Sequence, residues 1–329
     1  MRLSVLDQSP IPEGGSGGQS LKNSIELAQL ADRLGYHRFW MAEHHATPSL
    51  ASASPEIMLA AVGLATQKIR LGTGGIMLPH YSPLKVAESF SMLAGLLPGR
   101  IDLGLGRAPG SDQITAYALQ QDRRTRAPND FPQQLQELLA YLDDALPVEH
   151  PFRKLGGSLP GGAEKPDIWV LGSSADSALL AGALGLPYCI ADFIAGEVPE
   201  LAESYRSSFR PSARAAEPEV MVACWTVAAE DDEQAAWIAG SSRMMFAKMM
   251  MGELIPVPSP EKAAQWLAEN HAPMPANRRP IIGTAARCCD AIREKARLYG
   301  ASDVMLVNIL YDHAARLRSY RLIAESFTS

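Results

Sequence analysis

Short apolar runs bounded by turn residues alternate along the chain with longer segments of helical period. The first run, Leu3 to Leu6, is followed by Leu21, Ile25, Ala28, Leu30, Ala31 and Leu34, whose spacing places them on one face of a helix. The alternation then predicts strand Arg38 to Ala42 with helix Pro55 to Thr66, strand Ile69 to Met77 with helix Leu84 to Leu97, and strand Ile101 to Gly106 with a helix within Phe131 to Leu146. Strand Asp167 to Leu171 with helix Ala175 to Leu184 follows, then strand Tyr188 to Ala191 with helix Glu197 to Phe209, strand Val220 to Ala228, and strand Val304 to Leu310 with helix His313 to Ser326. Eight strands nearly all separated by helices imply an α/β fold with a parallel sheet, either open and doubly wound or closed; the count favours a (β/α)8 TIM barrel. Such a barrel runs to about 250 residues, so 1–329 reads as one domain with insertions at about 146–166 and 230–279. The run Gly14 to Gly18 reads as a flexible loop after the first strand.

Composition narrows the picture. With 47% hydrophobic and 20% charged residues the chain fits neither the disordered nor the coiled-coil class. Thirty Lys+Arg against 36 Asp+Glu give a net charge of −6, so there is no basic face for phosphates and nucleic acid is not an expected partner. The longest apolar stretch, Ala178 to Ala191, contains Gly182, Gly185 and Pro187 and falls short of the roughly 20 residues a bilayer needs, so it reads as two buried elements, not a membrane span. Met1 leads straight into the first strand without a charged and apolar leader, which suggests a cytoplasmic enzyme. Cys189, Cys224, Cys288 and Cys289 show no CxxC spacing and read as reduced core thiols, not disulfide or zinc residues.

Candidate chemistry collects where predicted strands end, on the side where barrels place their active sites. Glu43-His44-His45 follows the second strand. Adjacent side chains on extended backbone point to opposite faces and no HxH or HExxH spacing accompanies them, so metal ligation is disfavoured. One imidazole facing the barrel mouth as acid, base or donor, its tautomer set by Glu43 or a backbone group, and a pair of satisfied surface histidines both remain open. Gly74 and Gly75 interrupt a buried strand, either to let a flat ligand approach or because the wall is tight there. Arg107, flanked by Gly104, Gly106 and Gly110, could clamp an anion or pair with an acid such as Asp112. Ser173, Ser174 and Ser177 open a helix, where a phosphate would fit and where plain N-capping would account for them equally. Neither GxGxxG nor GxxxxGK[ST] occurs at these points. Met244, Met245, Met249, Met250 and Met251 suggest packing or an adaptable cover, and Arg316 and Arg318 a solvated or subunit-facing surface.

Four segments, Trp40 to His45, Leu71 to Pro79 with Pro83, Gly99 to Arg107, and Ile168 to Ser177, together resemble the luciferase-like flavin-dependent monooxygenase superfamily. The similarity spans essentially the whole chain, and Ile282 to Thr284 and Asp312 to Tyr320 are similar to its alkanal-monooxygenase-like branch. The resemblance implies a bacterial luciferase-like barrel that takes reduced FMN from a separate flavin reductase and uses O2 to oxygenate a small organic substrate through a flavin C4a-hydroperoxide, as a homodimer. It implies that His44 is the catalytic proton-transfer residue with Glu43 beside it, that Gly74-Gly75 is a non-prolyl cis peptide against the flavin ring, and that Arg107, Ser173, Ser174 and Ser177 bind the phosphate. Two positions depart from the luciferase pattern: Ser173 stands where an acid is usual, and Gly106 where luciferase has its reactive cysteine, so light emission is not implied. A deazaflavin-dependent hydride-transfer enzyme of the same superfamily and a non-catalytic flavin-binding protein are the alternatives. An oxygenase needs a dry cavity, which gives the insertion at 230–279 a role as a lid.

Overall fold

The computed structural model describes residues 1–107, 113–119, 130–155, 157–270 and 278–328. Its strands are β1 (Arg2–Asp7), β2 (Arg38–Met41), β3 (Arg70–Thr73), β4 (Ile76–Met77), β5 (Ile101–Gly106), β6 (Asp167–Gly172), β7 (Tyr188–Ala191), β8 (Val220–Ala229), β9 (Ile281–Thr284) and β10 (Asp303–Val307). All pairings between them are parallel, and β10 pairs with both β8 and β1, which closes a ring of eight staves; β4 shares the third stave with β3 and pairs with β5. The fold is therefore the (β/α)8 barrel that the alternation predicts.

Period-two alternation sorts each stave between two cores. Val5, Phe39, Ile168 and Val170 face the surrounding helices. Leu6, Trp40, Trp169, Met221, Ala223, Met305 and Val307 fill the barrel, with Trp40 and Trp169 edge to face at 5.7 Å. At the amino-terminal end of the staves, buried Arg38 donates to Asp102 (3.0 Å) and Asp303 (2.8 Å), and Trp40 Nε1 and Ser4 Oγ donate to the same two carboxylates. This network plugs the foot of the barrel and leaves the carboxyl-terminal mouth for chemistry.

Several local expectations are corrected. The run Ile69 to Met77 breaks into two strands at Gly74-Gly75. The first helix, Gly17–Arg33, begins inside the glycine run, because Ser16 caps it by accepting from the Gln19 N–H at 3.3 Å. β9 and the helix Ala285–Tyr299 lie where no element was expected; Thr284 caps that helix, Gly300 ends it at φ +56, and Cys288, Cys289, Ile292, Ala296 and Tyr299 form its buried face. Arg316 is not a surface residue: it is 1% exposed, paired with buried Asp7 and donating to the Asn308 carbonyl at 3.0 Å, whereas Arg318 is half-exposed beside Glu230.

The second insertion forms the helices Asp232–Met250 and Pro260–Glu269, which pack on each other, the first also packing on β8 and β9. Met244 and Met245 are buried, while Met249, Met250 and Met251 are exposed. Ala178 to Ala191 resolves into the helix Ala175–Ala183 and β7, turned at Gly185. Among the described residues no helix is long and apolar enough to cross a membrane. All four cysteines are buried and free.

Candidate functional site

The segment after β2 folds back on the strand that supplies it: the His44 N–H donates to the Ser52 carbonyl at 2.8 Å, and Ser52 Oγ donates to the Ala42 carbonyl. His44 is thereby fixed at the barrel mouth with its side chain half-buried. Glu43 is fully buried, and its carboxylate accepts from Tyr81 Oη (2.9 Å) and the Met77 N–H (2.9 Å) and bonds to His45 Nε2 (2.7 Å). It works as a brace between the end of β2 and the turn after β4. Glu56, in the first turn of the helix Pro55–Ala65, was not picked out from the sequence. Burial pushes its pKa up, the Glu43 charge adds to this, and among the described residues its buried Oε2 has no hydrogen-bond partner.

Gly74-Gly75 is a non-prolyl cis peptide, as the resemblance implies. The glycines here also answer to the wall itself. A Cβ on Gly75 would sit 2.7 Å from the Gly104 carbonyl oxygen, and one on Gly104 would sit 2.0 Å from that of Thr73. Thr73 Oγ1 ties the two staves by donating to the Gly104 carbonyl (2.9 Å) and accepting from its N–H (3.2 Å). At Gly106 there is room, since an added Cβ would meet only Met77 Sδ at 3.4 Å.

Arg107, at the end of β5, is half-exposed, and its guanidinium lies 3.6 Å from Asp176 in the first turn of the helix Ala175–Ala183. Asp112, the partner considered from the sequence, lies outside the described residues. Ser173 is exposed, Ser174 is the N-cap, and Ser177 Oγ accepts from the Ser174 N–H (3.4 Å), donates to its carbonyl (2.7 Å) and bonds to Tyr188 Oη (2.9 Å). Capping thus accounts for Ser174 and Ser177. The same geometry brings a guanidinium, an exposed hydroxyl and a helix amino terminus to one point, a donor set suited to a phosphate. The Arg107–Asp176 pair is an exposed one of small energy, which a dianion can displace. Met77 connects the two halves of the mouth, since Glu43 holds its N–H and it pairs in register with Gly106, next to Arg107.

A cleft opens farther round the mouth. Its lining includes Asp192 and Phe193 after β7, Trp225 on β8, Arg243 and Phe246 on the helix Asp232–Met250, and Arg278. None of these was singled out from the sequence, although Asp192-Phe193 follows a predicted strand directly and the barrel rule points there. Phe193 and Trp225 also pack against the barrel interior, with ring centroids 6.3 Å apart. Buried Asp192 accepts from Lys295 Nζ (2.8 Å) and Tyr299 Oη (2.8 Å). Against the effect of burial, the hydrogen bonds to Asp192 and Glu197 hold the Lys295 pKa above its ordinary value. Among the described residues no group of three or more His, Cys, Asp or Glu could hold a metal ion.

The model of the luciferase-like monooxygenase family matches residues 1–302. The chain belongs to that family. An Escherichia coli luciferase-like monooxygenase is 38% identical, with 97% of this chain and 95% of the relative aligned. A Bacillus subtilis N-acetyl-S-alkylcysteine monooxygenase is 35% identical over 99% of this chain and 98% of its own length. Among solved structures, apo-MsnO8 superimposes with a TM-score of 0.89 at 38% identity, covering 99% of this chain and 98% of that one. Two more distant structures share the fold: an FMN-bound type II Baeyer-Villiger monooxygenase component from Pseudomonas putida (TM-score 0.73, 18% identity, 99% of this chain and 98% of that one) and an F420-dependent secondary alcohol dehydrogenase (TM-score 0.67, 15% identity, 99% and 98%). Membership makes this luciferase-like chain an oxidoreductase of the monooxygenase type.

Proposed function

We propose that the protein is an FMN-dependent monooxygenase that uses reduced FMN and O2 to oxygenate a small organic substrate. The observation that carries this is the meeting of Arg107 with the amino terminus of the helix Ala175–Ala183 on neighbouring staves. In this role Arg107, the Ser173 hydroxyl and the helix N–H groups hold the phosphate, while Ser174 and Ser177 keep the turn in shape. Bound reduced FMN supplies the electrons for oxygen chemistry. His44 moves the proton at its imidazole, beside the wall formed by Gly74 and Gly75, and Glu43 fixes the surrounding turn through Met77 and Tyr81. The helices of the second insertion cover the mouth and limit water.

FMN in an oxygenase that shares the fold and the name of the N-acetyl-S-alkylcysteine monooxygenase, a relative acting on small organic molecules, support this assignment. A separate flavin reductase and a homodimeric assembly complete the proposal. The F420 enzyme of the same fold keeps a second assignment in view, hydride transfer to a deazaflavin without O2. Reconstitution separates the two: reduced FMN added to the protein should be consumed with O2, and His44→Ala should retain FMN binding yet release peroxide in place of product. Turnover with an oxidised deazaflavin under anaerobic conditions, or normal coupling in His44→Ala, overturns the assignment.

A further inference from the structure

The cleft beside β7 and β8 has a polarity of its own. Its floor is aromatic and aliphatic, built from Phe193, Trp225 and Ile282. Its rim carries three guanidinium groups, on Arg243, Arg278 and Arg279. Arg278 is fixed in place: its guanidinium lies 4.0 Å above the Phe246 ring and donates to the Ile194 carbonyl at 2.8 Å, and burial draws its pKa down. Arg243 is exposed and forms no ion pair among the described residues. Arg279 is 72% exposed, and its guanidinium lies 3.6 Å from Glu197. Among the described residues the one acid in the lining is Asp192, which is already matched by Lys295 and Tyr299. The cleft therefore presents unspent positive charge above an apolar floor.

Resting on the oxygenase assignment above, we infer that this cleft selects the substrate and that the substrate is an organic anion, a carboxylate or sulfonate on an apolar body. The anionic group meets the rim guanidinium groups, which give paired, directional hydrogen bonds to such oxygens. The body lies on Phe193 and Trp225, and because both rings also belong to the barrel interior, a ligand so anchored extends toward the mouth where His44 stands.

Isothermal titration of the whole protein with 4-phenylbutanoate, 3-phenylpropane-1-sulfonate and uncharged 4-phenylbutanamide tests this, with and without oxidised FMN. Both anions should bind about ten-fold or more tightly than the amide. R243Q/R279Q changes only exposed side chains and should remove much of that gap; adding R278Q should bring anion and amide within about two-fold, with amide affinity unchanged. Equal binding of anion and amide, no binding of any probe, or a gap that survives the double substitution overturns the inference. FMN titration of the same proteins keeps the two claims apart, since Arg107 is untouched: failure to bind FMN with the anion preference intact sinks the oxygenase assignment alone, and normal FMN binding without the preference sinks only the substrate class.

Discussion

Removing the Glu43 carboxylate should loosen the barrel mouth by a predictable amount. Glu43→Ala leaves the Met77 N–H, the Tyr81 hydroxyl and the His45 ring without their shared partner. Each unsatisfied group costs about 1 kcal/mol here, at the low end because all three residues are part-exposed and water can reach them. The emptied volume of a fully buried side chain adds a cavity cost, which brings the total to about 3–5 kcal/mol. With a urea m-value of ~3 kcal/mol/M, the unfolding midpoint should fall by about 1 M or more. Glu43→Gln keeps the shape and leaves an amide oxygen for the Met77 N–H, so its midpoint should fall much less. Equilibrium urea unfolding followed by circular dichroism measures both. A midpoint for Glu43→Ala within about 0.3 M of the parent protein, or equal damage from the two substitutions, refutes the bracing role.

Acid stability should depend on His37. Burial first, then the charges of Arg38 and Arg2, hold its pKa down at about 4 against an ordinary 6.5. The folded protein keeps the ring neutral while the unfolded chain protonates below pH 6.5, so its contribution is whole above that pH and is lost as pH falls toward 4. Because the ring is only half-buried, the full shift is discounted to roughly 1–2 kcal/mol, and His37→Gln should lose that much less stability than the parent between about pH 7 and pH 4.5. Parallel acid limbs in urea titrations would remove His37 from the explanation. Gly104→Ala places a Cβ 2.0 Å from a carbonyl oxygen and should fail to fold or melt far lower, whereas Gly106→Ala, with its nearest neighbour at 3.4 Å, should melt near the parent; similar melting temperatures would contradict the tight-wall account of β3 and β5.

The eight staves were legible because each is a short, doubly covered apolar run, and period two along Val5-Leu6 or Phe39-Trp40 assigns inside and outside. β9 escaped notice for a physical reason: it is four residues long, contains Gly283, and among the described residues pairs only with the overhang of β8 from Thr226 to Ala229. The helix after it buries cysteines and alanine among many charges, which weakens its apolar signal. Arg316 reads as a surface charge until the fold delivers Asp7 to it from the opposite end of the chain.

In the candidate site, strand ends exposed Glu43, His44 and Arg107 to sequence reasoning, because chemistry gathers there in any barrel. What the sequence concealed was partnership. His45 joins Tyr81 on Glu43, Asp176 of a neighbouring stave's helix meets Arg107, and the aromatic cleft draws on β7, β8 and a distant insertion. No local spacing encodes such meetings.

Anaerobic titration of reduced FMN and reduced riboflavin, with the parent protein and with Arg107→Ala, tests whether Arg107 holds the flavin's phosphate. The two flavins share a ring and differ in the anion, so a guanidinium clamp predicts that the parent protein prefers FMN by about ten-fold or more, and that Arg107→Ala erases the preference while riboflavin binding stays unchanged. Equal affinity of the parent protein for both flavins, or equal loss of both in the variant, would contradict it.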